Sequence, residues 1–325
     1  MHPFVFTKAS DEGSALQAAG SGGRYIAGGT TLIDLMRETA ERPGSVVDIN
    51  DLPYRDIDVT QDGLRIGALV RMSELAAHPA VRTEYPVIAE ALNLSASAQL
   101  RNMASIGGNL MQRPRCLYFR DVTAPCNRRE PGSGCPAIGG RNRTHAILGT
   151  SDHCVATHPS DLAVALTALD ARVALRNSSG ESTIGLADFY RVPGTTPERE
   201  HNLQPGQLIT AVEVPATPEA RRSGYLKVRD RASYEFAICS AAVALDMQGT
   251  TIRSARVAAG GVGTVPWRLP AVERALAGRP ATTDAIRAAA DQAAEGARPL
   301  SENGFKVDLL KRTVARQLET IAGVR

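Results

Sequence analysis

Apolar and polar positions follow two different periods along the chain, which together predict a protein of mixed helices and sheets. Short apolar runs, RYIA (24–27) and SVVDI (45–49), predict buried strands on either side of a helix in LIDLMRETAE, so that residues 22–49 form a strand–helix–strand unit with a right-handed crossover. Ser10 is placed to cap a helix over 11–19, and Thr30 the helix that follows AGG. DIDVT and LRIGAL, separated by QDG, predict a hairpin.

The second half of the chain changes character near residue 222. Before it, MSELAAHPAV and YPVIAEALNLSA have helical periods, PSDLAVALTALDARVALRN predicts a helix and then a strand, and GQLITAVEVP predicts a strand. After it, YLKVRD, AICSAAVALDMQ and TIRSARVAAGG predict a meander that is followed by alanine-rich amphipathic helices. We therefore predict an α+β fold with a domain boundary near 222 and a separate C-terminal α+β unit.

The segment 111–157 has neither the helical nor the strand period of apolar positions. It contains prolines at 114, 125, 131 and 136, and a loop of this length inside a compact domain is normally functional or disordered. Four of the five cysteines fall in this segment, which we call the cysteine insert: Cys116, Cys126, Cys135 and Cys154. Cys239 lies in an apolar run and is expected in the core.

Composition narrows the function only a little. Lys and Arg number 37 against 34 Asp and Glu, so the formal net charge of +3 favours neither nucleic acid nor a membrane surface as a partner. The N-terminus lacks the pattern of a signal peptide, and no apolar run approaches the ~18–20 residues that span a bilayer. Five cysteines are too few for a disulfide-built scaffold of 325 residues.

Two Gly-Gly turns are candidates for anion binding, AGGTTL (27–32) and ASIGGNL (104–110). Glycine lets the backbone approach an anion, and the helix start that follows offers unpaired N–H groups. Ser105 and Asn109 add polar side chains to the second turn. Two such turns could hold the two phosphates of a dinucleotide, although ordinary strand-to-helix turns would have the same sequences.

The order of AGGTTL, RNMASIGGN, HPSDLAVALTALDA, LITAVEVP, YLKVRDR and RVAAGGVG resembles the FAD-binding subunit of molybdenum hydroxylases, the xanthine dehydrogenase and aldehyde oxidoreductase family. The resemblance covers essentially the whole chain and is strongest to the medium subunit of bacterial three-subunit aldehyde oxidoreductases. It implies an FAD-binding domain of the vanillyl-alcohol-oxidase (PCMH) type over 1–222, with subdomains over about 1–55 and 56–222, and a C-terminal flavoprotein domain over 223–325.

The resemblance also assigns cofactor-binding residues by motif. The first turn would hold the FAD pyrophosphate through Tyr25, Ile26, Ala27, Gly28, Gly29, Thr30, Thr31, Leu32 and Ile33. The second pyrophosphate turn would be Ser105, Gly107, Gly108 and Asn109. Asp161 matches an acidic residue that hydrogen-bonds the cofactor, Ile209 an apolar contact, and Lys227 a basic residue near the isoalloxazine. From the residues alone, Asp161 could instead cap a helix, Ile209 lie in the core and Lys227 face solvent.

The spacing of the insert, C-x9-C-x8-C-x18-C, supplies the four thiolates that an iron–sulfur cubane or a structural zinc requires. No C-x-x-C pair is present, and disulfides are a further alternative. A similar insert marks family members whose flavin subunit carries a 4Fe-4S cluster, so the resemblance implies that Cys116, Cys126, Cys135 and Cys154 bind one. Seven arginines of the insert would offset its charge or bind a partner subunit, and His145, His153 and His158 are expected on the loop surface.

The resemblance implies an electron-transfer subunit of a heterotrimer that also contains a large molybdenum-cofactor subunit and a small 2Fe-2S subunit. Electrons would pass from these centres to FAD and then to an external acceptor, and no residue of this chain is assigned acid, base or nucleophile chemistry. Export with a signal-bearing partner would place the protein in the periplasm, and otherwise it would be cytoplasmic. The alternatives are a xanthine dehydrogenase or 4-hydroxybenzoyl-CoA reductase subunit, a self-contained flavin oxidase, and a zinc-stabilised adaptor without catalysis.

Overall fold

The N-terminal part of the chain forms a small parallel sheet. The computed structural model describes residues 1–324, and its first sheet has the order β1-β3-β2, with α1 and α2 as crossovers. The bounds are β1 (Val5–Lys8), α1 (Glu12–Gly20), β2 (Arg24–Ile26), α2 (Leu32–Arg37) and β3 (Ser45–Asp48). The predicted strand–helix–strand unit is therefore confirmed, whereas β1 was not predicted because all four of its residues are exposed.

Both predicted helix caps in this part were wrong by one residue. Asp11, not Ser10, caps α1, because its carboxylate accepts the Ser14 N–H at 2.7 Å. The N-cap of α2 is Thr31, not Thr30, and its side chain makes no capping hydrogen bond. The first turn of α2 is therefore left without a side-chain acceptor.

A five-stranded antiparallel sheet and several short helices form the middle of the chain. The sheet order is β4-β5-β8-β6-β7, and the predicted hairpin is confirmed, with Thr60 opposite Gly63. Its strands are β4 (Ile57–Thr60), β5 (Gly63–Gly67), β6 (Arg172–Asn177), β7 (Gly180–Gly185) and β8 (Leu208–Pro215). The helices are α3 (Met72–Ala77), α4 (Pro79–Glu84), α5 (Pro86–Leu94), α6 (Ala98–Met103), α7 (Ile106–Leu110), α8 (Leu117–Arg120), α9 (Asp161–Ala168) and α10 (Leu186–Phe189).

The C-terminal part is the predicted meander with helices. Strands β9 to β12 form an antiparallel sheet in the order β12-β11-β10-β9, and β13 pairs with β11. The strands are β9 (Ser223–Val228), β10 (Cys239–Gln248), β11 (Thr251–Gly260), β12 (Trp267–Arg268) and β13 (Arg279–Pro280). The helices are α11 (Pro270–Leu276), α12 (Thr283–Ala290), a 3-10 turn (Asp291–Ala294) and α13 (Phe305–Ala322).

The C-terminal sheet packs against other elements on both of its faces. Cys239 is fully buried on its helix-covered face, as predicted, in the core that includes Leu310 of α13. On the other face, Ala242, Ala244 and Ala258 belong to the core of the middle part. Small alanine side chains on the strands let helices pack closely on both faces. The domain boundary near 222 stays a prediction.

The cysteine insert is ordered although it contains only one short helix, α8. Side chains hold its backbone: Arg129 donates to the Phe119 carbonyl at 2.6 Å, and Asn127 donates to the His153 carbonyl at 3.0 Å. Asn142 Nδ2 donates to several carbonyls, including that of Gly140 at 3.0 Å. These bonds satisfy the backbone groups that a helix or a sheet would otherwise pair. Across residues 1–324, no helix combines the length and the apolar character needed to cross a membrane.

Candidate functional site

A cavity of about 470 Å³ lies between the N-terminal sheet and the middle sheet. Most of the residues predicted to contact a cofactor line it: Tyr25, Ile26, Ala27, Gly28, Gly29, Thr30, Thr31, Leu32, Ser105, Gly107, Gly108 and Ile209. Four do not: Ile33, Asn109, Asp161 and Lys227. Ile33 is 43% exposed and is not part of the cavity lining. The fold thus brings the two Gly-Gly turns and strand β8 to one space, as the motifs predicted.

The first Gly-Gly turn needs both of its glycines. A Cβ on Gly28 would lie 1.9 Å from the Met103 carbonyl oxygen, and Gly29 has φ +70. Gly28 therefore lets this turn touch the chain segment that leads into the second turn. Within residues 1–324, the backbone amides from Gly28 to Leu32 donate to no protein acceptor, so five successive N–H groups remain available at the cavity. Such a row of donors before a helix suits an anion.

The second Gly-Gly turn differs from the prediction of a second set of free donors. The amides of Ile106 and Gly107 donate to the carbonyls of Val70 and Ala68, at 3.0 and 2.8 Å. Ser105 caps α7, since its hydroxyl accepts the Gly108 N–H at 3.2 Å. These donors are engaged because the turn is fixed to the chain that follows β5. The turn contributes a surface without bulky side chains rather than free N–H groups.

The Asn109 side chain also has a structural partner on each side. Its carbonyl accepts from the Ser160 hydroxyl at 2.5 Å, and its amide contacts the Met72 sulfur at 3.4 Å. Asn109 therefore joins the second turn to the start of α9.

Asp161 and Lys227 form a buried ion pair away from the cavity between the Gly-Gly turns. Lys227 Nζ lies 2.7 Å from Asp161 Oδ2, and the two side chains are 1% and 6% exposed. Ser95 and Tyr225 donate to the same carboxylate at 3.1 and 2.8 Å. Ser160, not Asp161, caps α9. Neither the solvent-exposed alternative for Lys227 nor the capping alternative for Asp161 holds. Asp161 lines a neighbouring cavity of about 230 Å³ that also touches Cys116 and His145.

Two arginines and one glutamate connect the cavity between the turns with the cysteine insert. Arg113, which lines that cavity, donates from Nε to Glu200 at 2.7 Å and pairs with Glu41. Arg128 binds the same Glu200 oxygen at 3.1 Å, and its Nη2 lies 3.6 Å from the Cys154 sulfur. Burial opposes ionisation of Glu200, but the charges of Arg128 and Arg113 outweigh it and lower the pKa of the carboxyl.

Sequence reasoning did not identify Glu200 or the segment 201–208. His201 and Gln204 line both the cavity between the turns and an adjoining cavity of about 320 Å³. His201 Nδ1 and His158 Nε2 are buried without a protein partner, and burial is the main reason that the pKa of each is lowered, for His158 to about 3. Neutral imidazoles with an unpartnered nitrogen at a cavity wall are available to a bound ligand. The only sequence signal was a cluster of charge in PEREH (197–201), shortly before the strand predicted in GQLITAVEVP.

The four cysteines of the insert converge on one region. Cys126 and Cys154 are buried, Cys116 and Cys135 are partly buried, and all four are free thiols. Burial raises the pKa of Cys116 to about 12, and Cys154 and Cys126 lie close enough to raise it further. Burial and the neighbouring Cys154 and Cys126 also raise the pKa of the Cys135 thiol. Ionising several buried thiols that lie close together costs free energy unless a cation compensates the negative charges.

His145 is not on the loop surface, contrary to the prediction. It is 3% exposed, and its Nε2 lies 3.2 Å from the Cys116 sulfur. Its carbonyl accepts from Lys306 Nζ at 3.0 Å and from Asn303 at 3.2 Å. Lys306, fully buried, also donates to the carbonyls of Thr144 and Gly261, at 3.0 and 2.7 Å. The start of α13 therefore fixes the histidine beside the cysteine. His153 is exposed as predicted.

The cysteines of the insert are not arranged as ligands of one metal ion. Within residues 1–324, no three His, Cys, Asp or Glu side chains are placed to hold a single metal ion. A tetrahedral zinc needs all its sulfurs at one point, whereas in a 4Fe-4S cluster each thiolate binds a different iron. In the insert, Arg128 contacts the Cys154 sulfur and His145 contacts the Cys116 sulfur.

Comparison with known proteins assigns both halves of the chain. Residues 4–217 match the FAD binding domain in molybdopterin dehydrogenase, and residues 224–320 match the CO dehydrogenase flavoprotein C-terminal domain. The aldehyde oxidoreductase FAD-binding subunit PaoB of Escherichia coli strain K12 is 48% identical over 299 residues, 91% of this chain and 91% of that protein. The carbon monoxide dehydrogenase medium chain of Hydrogenophaga pseudoflava is 25% identical over 275 residues, 84% of this chain and 79% of that one.

Solved structures agree on the fold. A chain of the reconstituted CO dehydrogenase from Oligotropha carboxidovorans superposes with a TM-score of 0.77 at 22% identity, over 100% of this chain and 99% of that chain. Quinoline 2-oxidoreductase from Pseudomonas putida 86 gives 0.77 at 20% identity, over 99% and 98%. The predicted α+β fold, with an FAD-binding domain and a C-terminal flavoprotein domain, is confirmed.

Proposed function

The chain belongs to the family of FAD-binding subunits of molybdopterin dehydrogenases, and on this premise we propose that it is the electron-transferring flavin subunit of an aldehyde oxidoreductase. Its relatives are named as FAD-binding subunits or medium chains of oxidoreductases that act on aldehydes, carbon monoxide and other small molecules. The 48% identity to the aldehyde oxidoreductase subunit favours an aldehyde as the substrate of the complex. An aromatic aldehyde is our first choice.

The observation that carries the proposal is the row of free amides in the first Gly-Gly turn. Five N–H groups from Gly28 to Leu32 face a cavity of about 470 Å³ and have no protein acceptor among residues 1–324. A pyrophosphate would satisfy them, and the buried, unpartnered Nδ1 of His201 offers a further polar contact. Bound flavin would supply the electron-carrying chemistry.

The residues of this chain bind and orient the cofactor. Ser105, Gly107 and Gly108 form a wall without bulky side chains, which lets the cofactor lie close to the backbone of the second turn. Ile209, 6% exposed, supplies an apolar contact from β8. With Lys227 assigned to the isoalloxazine, that ring would lie beyond this cavity, toward the buried ion pair of Lys227 with Asp161. No acid, base or nucleophile of this chain is required.

We further propose that Cys116, Cys126, Cys135 and Cys154 bind a 4Fe-4S cluster. Their convergence, the contact of Arg128 with Cys154 and the contact of His145 with Cys116 support this assignment over zinc. Guanidinium and imidazole N–H groups beside thiolates offset the negative charge of a thiolate-ligated cluster. The insert would therefore hold a second redox group beside the flavin.

The proposed partners are a large molybdenum-cofactor subunit and a small 2Fe-2S subunit, in a heterotrimer with an external electron acceptor. Names such as medium chain and subunit among the relatives support a multi-subunit complex. We propose that the complex is periplasmic through co-export with a signal-bearing partner. Fractionation of cells that express all three chains would test this, and finding the chain only in the cytoplasm would contradict it.

Anaerobic purification of the full chain, followed by flavin, iron and zinc assays, tests the cofactor assignments. We expect one FAD and about four irons per chain. Cys116→Ser should lose iron and keep FAD at saturating concentration, while the matched control Cys239→Ala, outside the insert, should keep both. A wild type with full flavin and no iron would contradict the cluster assignment and leave the FAD assignment standing. Zinc without flavin would favour an adaptor, and turnover of an aldehyde by the isolated chain would favour a self-contained oxidase.

A further inference from the structure

An unbroken series of polar contacts connects the metal-ligand candidate Cys154 with the cavity between the Gly-Gly turns. Arg128 Nη2 lies 3.6 Å from the Cys154 sulfur, and Arg128 Nη1 lies 3.1 Å from Glu200. Glu200 accepts from Arg113 Nε at 2.7 Å, and Arg113 lines the cavity. The side chains of Arg128, Glu200 and Arg113 are only 6%, 16% and 18% exposed, so water screens these contacts weakly.

An apolar path runs beside the polar one. Phe119 of the insert is 1% exposed and packs with Cys126, and with Leu35 of α2, which itself lines the cavity between the turns. The guanidinium of Arg113 lies over the Phe119 ring, 4.6 Å from its centroid. A displacement of the cysteines therefore reaches the first Gly-Gly turn through packing as well as through charge.

We propose that Glu200 is a positioning residue that couples the two sites, so that a metal group bound to the insert cysteines and FAD bound between the Gly-Gly turns stabilise each other. The inference rests on the proposed function, because it needs both groups. The coupling makes the affinity for FAD depend on the bound metal group, and neither binding site requires such a dependence on its own.

The coupling follows from what each neighbour of Glu200 does. A metal-bound thiolate at Cys154 is negative and holds the Arg128 guanidinium, whereas a neutral thiol holds it weakly. Arg128 held at Cys154 keeps Glu200 in the position where it also binds Arg113. Arg113 then stays at the cavity wall, and Leu35 stays behind the first turn. By thermodynamic reciprocity, FAD bound at that wall must favour the metal-bound insert by the same factor.

The test measures the FAD dissociation constant of the full chain by flavin fluorescence, before and after anaerobic removal of iron with a chelator. Iron-loaded wild type should bind FAD about 5- to 30-fold more tightly than the iron-free chain, within the usual range of coupling between sites. In Glu200→Gln this ratio should fall below about twofold. The matched control Glu213→Gln changes a half-exposed carboxylate paired loosely with Arg65 at 3.7 Å, and it should keep the wild-type ratio.

The outcomes separate the coupling from the proposed function. Equal FAD affinity with and without iron in the wild type would overturn the coupling and leave the FAD and cluster assignments standing. An unchanged ratio of FAD affinities in Glu200→Gln would show that Glu200 does not carry the coupling. A wild type that never contains iron would overturn both the cluster and the inference. If Glu200→Gln does not fold, judged by far-UV circular dichroism, Arg128→Lys serves in its place. It keeps the charge but removes the forked pair of N–H groups, and should also lose the ratio.

Discussion

Gly28→Ala is a stringent test of the proposed FAD site, because one methyl group would enter the contact between the first turn and the chain before the second. The new Cβ would lie 1.9 Å from the Met103 carbonyl oxygen and 2.6 Å from its carbon. Both neighbours are backbone atoms, so no side chain can move aside, and the two segments must separate by more than about 1 Å.

Overpacking of this kind costs ~1–3 kcal/mol. If the cost falls on the geometry that binds FAD, the FAD dissociation constant rises about 5- to 150-fold, since 1.4 kcal/mol is about a factor of ten. Fluorescence titration of the flavin-free chain measures this, with a urea unfolding curve on the same sample. The control Gly44→Ala adds a Cβ with nothing within 4 Å and should change affinity less than twofold. A folded Gly28→Ala that binds FAD as tightly as the wild type would refute the assignment of this turn to the cofactor.

Two further variants test the packing around the insert. Lys306→Met leaves the carbonyls of Thr144, His145 and Gly261 without their buried donor, and should lower the free energy of unfolding by at least about 3 kcal/mol in urea. The control Lys311→Met changes a partly exposed side chain and should alter it by less than about 0.5 kcal/mol. Glu200 has a pKa below its ordinary 4.5, so its stabilising effect is complete above pH 4.5 and is lost as the pH falls through the lowered value. The free energy of unfolding should therefore decline in acid more steeply for the wild type than for Glu200→Gln, and equal slopes between about pH 6 and 3 would contradict this.

Local patterns were sufficient to predict most of the elements. The hairpin β4–β5, strand β8 and the C-terminal meander have strong periods or turn signals, and each forms as predicted. Strand β1 was not predicted, because its four residues are all exposed and no alternation marks a buried face. Glycine spacing is itself a local signal, and Gly28 does lie against the Met103 backbone, whereas the predicted approach of an anion to this turn stays a prediction.

The parts of the site that were missed depend on contacts between distant positions. Arg113 and Glu200 are 87 positions apart, and nothing near either residue indicates their pairing. His145 was assigned to the surface, but Lys306, 161 positions later, donates to its carbonyl and helps to bury it. The amides of the second Gly-Gly turn were expected to be free because the sequence does not show that Ala68 and Val70 accept them. Long-range pairing of this kind leaves no periodic trace in a single sequence.

The attachment of the insert to the start of α13 sets an order for biosynthesis. The carbonyls of Thr144 and His145 are held by Lys306, and the Ala146 carbonyl by Asn303, both near the C-terminus. While a ribosome is still translating residues 150–300, these donors do not yet exist, and the region around Cys116 lacks the wall that places His145. The proposed cluster would therefore meet a finished binding pocket only once translation is nearly complete. On the proposed cluster assignment, a truncation before residue 300 should lose iron even though all four cysteines remain.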